Sequence, residues 1–298
     1  MLSILIPTKD YDCHQLIEEL QRQGELLGVP YEIIVGEDGT SAHNLQKNIT
    51  AEELPCCRRI ISQENIGRAN IRNRLAIEAK QPNLLFIDSD AIVEKKDFLA
   101  LYIAALHNHK VVCGGLYHTS KLNDPACSLR FKYERKADTK RDAATRSLRP
   151  YDNFTTFNFA ISRELFLSIF FKKEIKQYGY EDALFGKELE RRGVPVIHIE
   201  NRLLHNGLEN NAIFLEKTMQ ALGTLASIEP LIGSTPLLSA TSKLHKWHVA
   251  GLFLLLWRAL RRPISRNLLG KRPSLFLFNI HKLGCYLAIK KQLQQPHP

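Results

Sequence analysis

Short apolar runs alternate with amphipathic segments through the first third of the chain. Strands are predicted at 2–6, 31–36, 58–62, 84–88 and 111–114, and helices at about 13–27, 67–80 and 96–107. Strands separated by helix-length segments predict a parallel sheet with helical crossovers, whose carboxyl edge collects the functional loops. Pro7-Thr8, Gly36 to Gly39 and Gly114-Gly115 punctuate the strand ends. Further along, 119–150 reads as an exposed, charged helix with a mobile loop, 154–161 as a strand, 163–171 as a helix and 194–199 as a strand. Gly179-Tyr180-Glu181-Asp182 opens a helix running to about Arg192, and 210–229 predicts another.

Composition changes after Pro230. Residues 1–229 carry 30 basic and 31 acidic side chains, whereas 230–298 carry eleven Lys and Arg and no Asp or Glu. The net charge of +10 therefore belongs to the tail. A boundary is expected there, with 1–229 as the main domain and 230–298 as a basic, amphipathic helical extension; the resemblance described below makes 1–229 the catalytic domain. In the tail, the apolar run Val249 to Trp257 is bracketed by Lys243, Lys246, Arg258, Arg261 and Arg262, and a second apolar helix spans about Ser274 to Ile289. Such segments suit an anionic membrane surface, with Trp247 and Trp257 at headgroup depth, or a helical pair packed on the rest of the chain.

The longest apolar run falls well short of the ~20 residues a membrane span needs, so no transmembrane helix is expected. The N-terminus enters a strand at once, without the basic and apolar stretches of a secretory signal. Cys13, Cys56, Cys57, Cys113, Cys127 and Cys285 show neither CxxC nor zinc spacing. A reduced, cytoplasmic setting follows.

Two strand ends carry acids: Glu37-Asp38 after Ile33-Ile34-Val35-Gly36, and Asp88-Ser89-Asp90 after Leu84-Leu85-Phe86-Ile87. Residues at i and i+2 of an extended segment point the same way, so Asp88 and Asp90 could share one hard cation. Gly67 precedes a helix whose N-terminal amide groups could face an anion, which the resemblance described next makes a diphosphate.

Ser3-Ile4-Leu5-Ile6-Pro7-Thr8, Glu37-Asp38-Gly39-Thr40, Glu64 to Asn73, Asp88-Ser89-Asp90 and Gly179-Tyr180-Glu181-Asp182, in that order, resemble the family 2 glycosyltransferases of the GT-A fold. The likeness covers about 1–210, and the block from Gly179 to Arg192 is similar to a galactosyltransferase-type acceptor region. The resemblance implies an α/β, Rossmann-like, mostly parallel sheet with helices on both faces. It implies an inverting hexosyltransferase that uses a nucleotide sugar, UDP-linked in the leading case, with Mn²⁺ or Mg²⁺, and a glycan or lipid-linked acceptor in surface polysaccharide synthesis. Pro7, Thr8, Asp38, Asn65, Gly67, Arg72, Asp88 and Ser89 would then bind the nucleotide sugar. Asp88, Asp90 and His205 would hold the metal. Asp182 would be the catalytic base and Glu181 an acceptor ligand. Sugar specificity is expected around 113–118 and 154–182.

The chain departs from the family in two ways. Lys9-Asp10 replaces the usual aromatic residue and Asn, and no Gln-x-x-Arg-Trp follows Asp182, which points away from processive synthases. A phosphatase of the haloacid dehalogenase type also bears Asp-x-Asp, but on its first strand. A nucleic-acid-binding protein driven by the basic tail is the non-enzymatic alternative, although the tail's basic residues sit among apolar runs.

Overall fold

A computed structural model describes residues 1–172, 179–233 and 235–293. Among the described residues ten strands, β1 to β10, build two sheets: β1 Leu2–Thr8, β2 Tyr31–Asp38, β3 Cys57–Ser62, β4 Asn83–Ile87, β5 Ala91–Ile92, β6 Val111–Cys113, β7 Leu116–His118, β8 Asn158–Ser162, β9 Ile197–His198 and β10 Leu203–His205. The larger sheet is seven-stranded in the order β3-β2-β1-β4-β8-β6-β9, and the smaller runs β5-β10-β7.

β1 pairs in parallel with β2 on one side and β4 on the other, so the strand order reverses about β1. Crossovers to left and right of such a strand leave a crevice at its carboxyl end, which is where open α/β sheets bind ligands. β1 is apolar at nearly every position because both faces are covered. Leu2, Ile4 and Ile6 join Ile33, Val35, Leu85 and Ile87 in one core cluster, while Leu5, Ile34, Leu84 and Phe86 face the other. The division follows the two-residue period of a strand.

β8 is antiparallel to both β4 and β6, which makes the sheet mostly parallel. It starts at Asn158, later than the apolar pattern from Phe154 predicts, because Phe154 and Phe157 are buried outside the ladder. The smaller sheet has no counterpart in the sequence pattern. Its strands span two or three residues, too few for periodicity, yet it aligns His205 with His118 and with Ala91.

The charged stretch 119–150 is also more structured than its composition suggests. It forms helices Ser128–Asp138 and Ala143–Ser147, and buries Glu134 and Arg146. Arg146 donates to the carbonyls of Cys113, Gly114, Ile199 and Arg141, and lies 2.9 Å from His198 Nδ1. His198 Nε2 in turn lies 2.9 Å from the Pro150 carbonyl. One guanidinium thus fastens together the chain segments that leave β6 and β9.

The chain separates into two compact units, Met1–Thr119 with Asp138–Lys176 and Glu181–Gly207, and Ser120–Ala137 with Gln177–Tyr180 and Leu208–Pro298. Both sheets lie in the first. The second is helical, with Asn211–Ile232, Pro236–Lys246, Ala250–Leu269 and Leu275–Leu293. The change of composition at 230 falls inside the first of these helices, so charge and packing divide at different places. Phe214 stacks near Phe278, and Glu229 accepts from Tyr286 and Lys290 at 2.9 and 2.7 Å. Trp257, expected at headgroup depth, is instead buried, and a Cβ on Gly284 would come within 2.3 Å of its ring. Among the described residues no helix is long and apolar enough to cross a membrane.

Candidate active site

The end of β2 is held by backbone amides. Asp38 accepts from Ile66 N at 2.7 Å through one oxygen and from Gly67 N at 3.0 Å through the other. Asn65 Oδ1 also accepts from Gly67 N. The amide group expected to meet a diphosphate is therefore taken up at the mouth of helix Arg68–Glu78, by a carboxylate that the N-terminal dipole favours. Gly39, at φ +66, makes this closure possible, because a Cβ there would lie 2.5 Å from Asn65 N. Glu37 is fully buried and accepts from Thr40 Oγ1 and Asn48 Nδ2. Asn48 also donates to the Tyr11 carbonyl and accepts from Cys13 N, so β2 is tied to the loop after β1.

That loop contains the unusual Lys9-Asp10. Asp10 adopts φ +54 and accepts from Ser41 N, Ser41 Oγ and Asn44 Nδ2. These hydrogen bonds, Asn44 foremost, draw its carboxyl down to about 2. Its work is to shape the loop beside half-buried Pro7 and buried Thr8, which donates to the Tyr11 carbonyl.

At the end of β4 the two acids part company. Asp88 is bound by the buried Arg72 guanidinium at 2.5 Å, while Asp90 Oδ2 lies 3.1 Å from His205 Nε2. Ala91 N donates to the Asp88 carbonyl at 3.1 Å and closes a turn. The segment from 88 to 91 is thus a turn and not a continuous strand, and the same-side geometry of a strand does not apply. Half-buried Ser89 sits between them in the turn. Among the described residues no group of three or more His, Cys, Asp or Glu side chains could hold a metal ion, so Asp88, Asp90 and His205 do not converge as one triad.

Asp90 and His205 remain as a pair of donors. Burial opposes ionisation of Asp90, but the hydrogen bond and charge of His205, with Arg68, hold its carboxyl below the usual range. His205 packs between His118 and Phe157, at 4.9 and 5.1 Å, and its buried Nδ1 has no hydrogen-bond partner among the described residues. Asn206 N donates to the Asp90 carbonyl, and a Cβ on Gly207 would lie 2.3 Å from Asp90 Oδ2. Carboxylate and imidazole side by side, with backbone packed close behind, fit two positions of a divalent cation whose others go to ligand oxygens and water.

Glu181 and Asp182 open helix Glu181–Arg191. Asp182 accepts from Ala183 N at 2.8 Å. Burial first, and the Glu181 charge second, push its carboxyl up to about 6, against a lowering influence from Arg72. Arg72, which binds Asp88, thus also bears on Asp182 through its charge. Glu181 also borders an apolar recess of about 130 Å³ with Phe170, Phe171 and Phe185. Of the segment 154–182, residues 173–178 lie outside the described residues.

Sequence reasoning missed Tyr11. Burial and the charge of Asp90 raise its hydroxyl, against a hydrogen bond from the Asn206 side chain, so it stands beside the Asp90–His205 pair. Its signal in the sequence is an aromatic residue just after β1, one position beyond Lys9-Asp10. Asn158 was missed as well. It is fully buried, donates to the Gly115 and Asn201 carbonyls and accepts from the Tyr102 hydroxyl, which braces the 113–118 segment.

The sequence model of glycosyl transferase family 2 matches residues 3–170, which include β1, Asp38, the Asn65–Asn73 segment and both β4 acids. The chain belongs to this family. It is a glycosyltransferase, and the phosphatase alternative falls. Among solved structures, it is similar over 98% of its length to 86% of mannosyltransferase PcManGT from Pyrobaculum calidifontis, in complex with GDP-Man and Mn²⁺, at TM-score 0.58 and 16% identity. TarS 1–349 of S. aureus matches at TM-score 0.52 and 16% identity, over 99% of this chain and 91% of that one. Glucosyl-3-phosphoglycerate synthase from Mycobacterium tuberculosis, with Mg²⁺ and UDP, matches at 0.50 and 15%, over 79% and 81%. At these identities the likeness speaks for the fold, which is of the GT-A type. No curated protein is significantly similar in sequence to this glycosyltransferase.

Proposed function

We propose that this glycosyltransferase is an inverting, metal-dependent enzyme that moves a hexose from a UDP-sugar to a hydroxyl of a glycan or lipid-linked acceptor during surface polysaccharide synthesis, on the cytoplasmic side of the membrane. The observation that carries the reading is the end of β4, where Asp88 is bound by the buried Arg72 guanidinium and Asp90 lies 3.1 Å from His205 Nε2; burial also raises the carboxyl of Asp182 to about 6. A carboxylate poised near neutrality is suited to accept a proton in a transition state.

In this mechanism Asp182 takes the proton from the acceptor hydroxyl. The acceptor oxygen bonds to the anomeric carbon from the face opposite the phosphate, the bond from that carbon to the phosphate oxygen breaks, and the nucleoside diphosphate departs with the electron pair. Glu181 orients the acceptor and keeps Asp182 basic. Pro7, Thr8, Asp38, Asn65, Gly67 and Ser89 border the nucleotide sugar, with Asp38 also maintaining the shape of the loop through its amide contacts. Arg72 and Asp88 act as one unit, in which Asp88 holds the guanidinium at the diphosphate side and Arg72 contributes positive charge. Asp90 and His205 would hold Mn²⁺ or Mg²⁺, which when bound supplies charge neutralisation at the diphosphate. An imidazole in the donor set favours Mn²⁺ over the all-oxygen preference of Mg²⁺.

Support for a nucleotide sugar and a divalent metal comes from the family, from PcManGT with its GDP-Man and Mn²⁺, and from glucosyl-3-phosphoglycerate synthase with its UDP and Mg²⁺. The deciding experiment is a thermal-shift screen of UDP- and GDP-sugars with and without Mn²⁺. Stabilisation by a UDP-sugar that needs Mn²⁺ and disappears in Asp90→Ala is expected. Stabilisation by GDP-sugars alone would overturn the donor, and stabilisation indifferent to Mn²⁺ would overturn the metal.

A further inference from the structure

Helix Ala250–Leu269 is apolar on two opposite faces. Leu254, Trp257, Ile264 and Leu268 are buried, with Trp257 packed over Gly284. The opposite side presents Leu252, Leu255 and Leu256, which are 58%, 65% and 55% exposed, and continues with exposed Ala259 and Pro263. At 100° per residue these positions form one outward ridge. Surface leucines scattered singly need no explanation, but a contiguous row on a helix that already has a buried face does.

The flank of the ridge is cationic. Arg258, Arg262 and Arg266 recur every four residues and are all exposed, so they line one side of the same helix. Arg261, Lys271 and Arg272 are exposed nearby in sequence, and no acidic residue occurs after Glu229. Trp247, 65% exposed, stands just before the helix. An apolar ridge bordered by guanidinium groups matches the two layers of a bilayer interface, acyl chains beneath and anionic headgroups above. A nucleic acid would use the arginines and leave the leucines without a partner. A second copy of the chain would bring like charge against like.

We propose that the ridge Leu252, Leu255, Leu256, Ala259 and Pro263, with Arg258, Arg262 and Arg266 beside it, docks the chain on an anionic phospholipid surface. The docking is independent of the transferase reading, since vesicle binding is measured without substrate. It places the chain on a surface where lipid-linked acceptors reside.

The test is co-sedimentation of the full chain with vesicles of phosphatidylcholine alone or with phosphatidylglycerol, at rising salt. Binding to the anionic vesicles only is expected. Leu252→Ser, Leu255→Ser and Leu256→Ser together should lower the partition coefficient at least tenfold while circular dichroism is unchanged. A second variant, Arg258→Gln with Arg262→Gln, leaves every apolar residue in place and should weaken binding several-fold and flatten its salt dependence. Failure of the full chain to bind anionic vesicles would overturn the proposal, as would a leucine variant that binds normally. So would a native chain of twice the leucine variant's mass in solution, which would assign the ridge to a second copy. Binding of duplex DNA that the arginine variant loses and the leucine variant keeps, without vesicle binding, would reassign the surface to a polyanion.

Discussion

Arg72 donates to Asp88 Oδ1 at 2.5 Å from a position at which its own side chain is 1% exposed. The carboxylate is 20% exposed, so the pair carries one member deep in the protein and one at the edge of the crevice. Breaking such a pair leaves a buried charge without compensation, at about 3 kcal/mol or more. Arg72→Leu is expected to lower the unfolding midpoint by several degrees and to abolish transfer. Arg72→Lys should keep part of the stability and still lose most activity, because an ammonium lacks the planar geometry of the guanidinium. Thermal unfolding and a transfer assay read the two effects separately.

Asp182 makes a prediction about pH. Its folded-state carboxyl is raised to about 6 from an ordinary 3.8, so the folded protein keeps this proton to higher pH than the unfolded chain does. The group therefore contributes least to stability at neutral pH, and its contribution falls as pH rises from about 4 to about 6. Asp182→Asn removes the penalty and should raise stability at pH 7 by up to about 3 kcal/mol, while leaving it nearly unchanged at pH 4. The same substitution should cost about 10²–10⁴-fold in kcat with UDP binding intact. The native pH–rate profile should show an acidic limb near 6 that the variant lacks.

Gly207 tests the proposed metal pair from behind. A methyl group there would lie 2.3 Å from Asp90 Oδ2, so Gly207→Ala should displace the carboxylate without altering any donor. The Mn²⁺ concentration for half-maximal activity should rise about tenfold, in the range expected when support of a metal ligand is lost. EDTA should abolish activity in the native enzyme, and added Mn²⁺ should restore it.

Arg146 is a structural prediction. Its buried guanidinium serves the carbonyls of Cys113, Gly114 and Ile199 as well as His198 Nδ1. Each buried acceptor left without a donor costs about 1–3 kcal/mol. Arg146→Met should therefore destabilise the protein by about 4 kcal/mol or more, and urea unfolding would show it. Burial already holds its pKa below the ordinary arginine value, which marks how far the charge sits from water.

Long apolar runs made much of the fold legible. Leu2 to Ile6 and Leu84 to Ile87 announce central strands because both faces of those strands are covered. Asp88 and Asp90 were legible as an acidic strand end, but their separate partners were not. Arg72 comes from the preceding helix and His205 from a three-residue strand paired with His118, and neither pairing leaves a local periodic trace. Asp38 shows the same limit, since the amides of Ile66 and Gly67 reach it from 28 and 29 residues away. Polarity misled at 119–150, where the buried Arg146 looks in sequence like any surface arginine.

Glu229 is the last acid in the sequence, and it grips Tyr286 and Lys290 near the far end of the chain. The border in composition is thus sewn shut by the residue that defines it. Cutting there would strip Phe278 from Phe214 and take Gly270 away from Asn211 and Ser128. A chain shortened to 229 residues would expose raw interior and stick to many surfaces, vesicles included. Questions about the basic segment have to be put one side chain at a time.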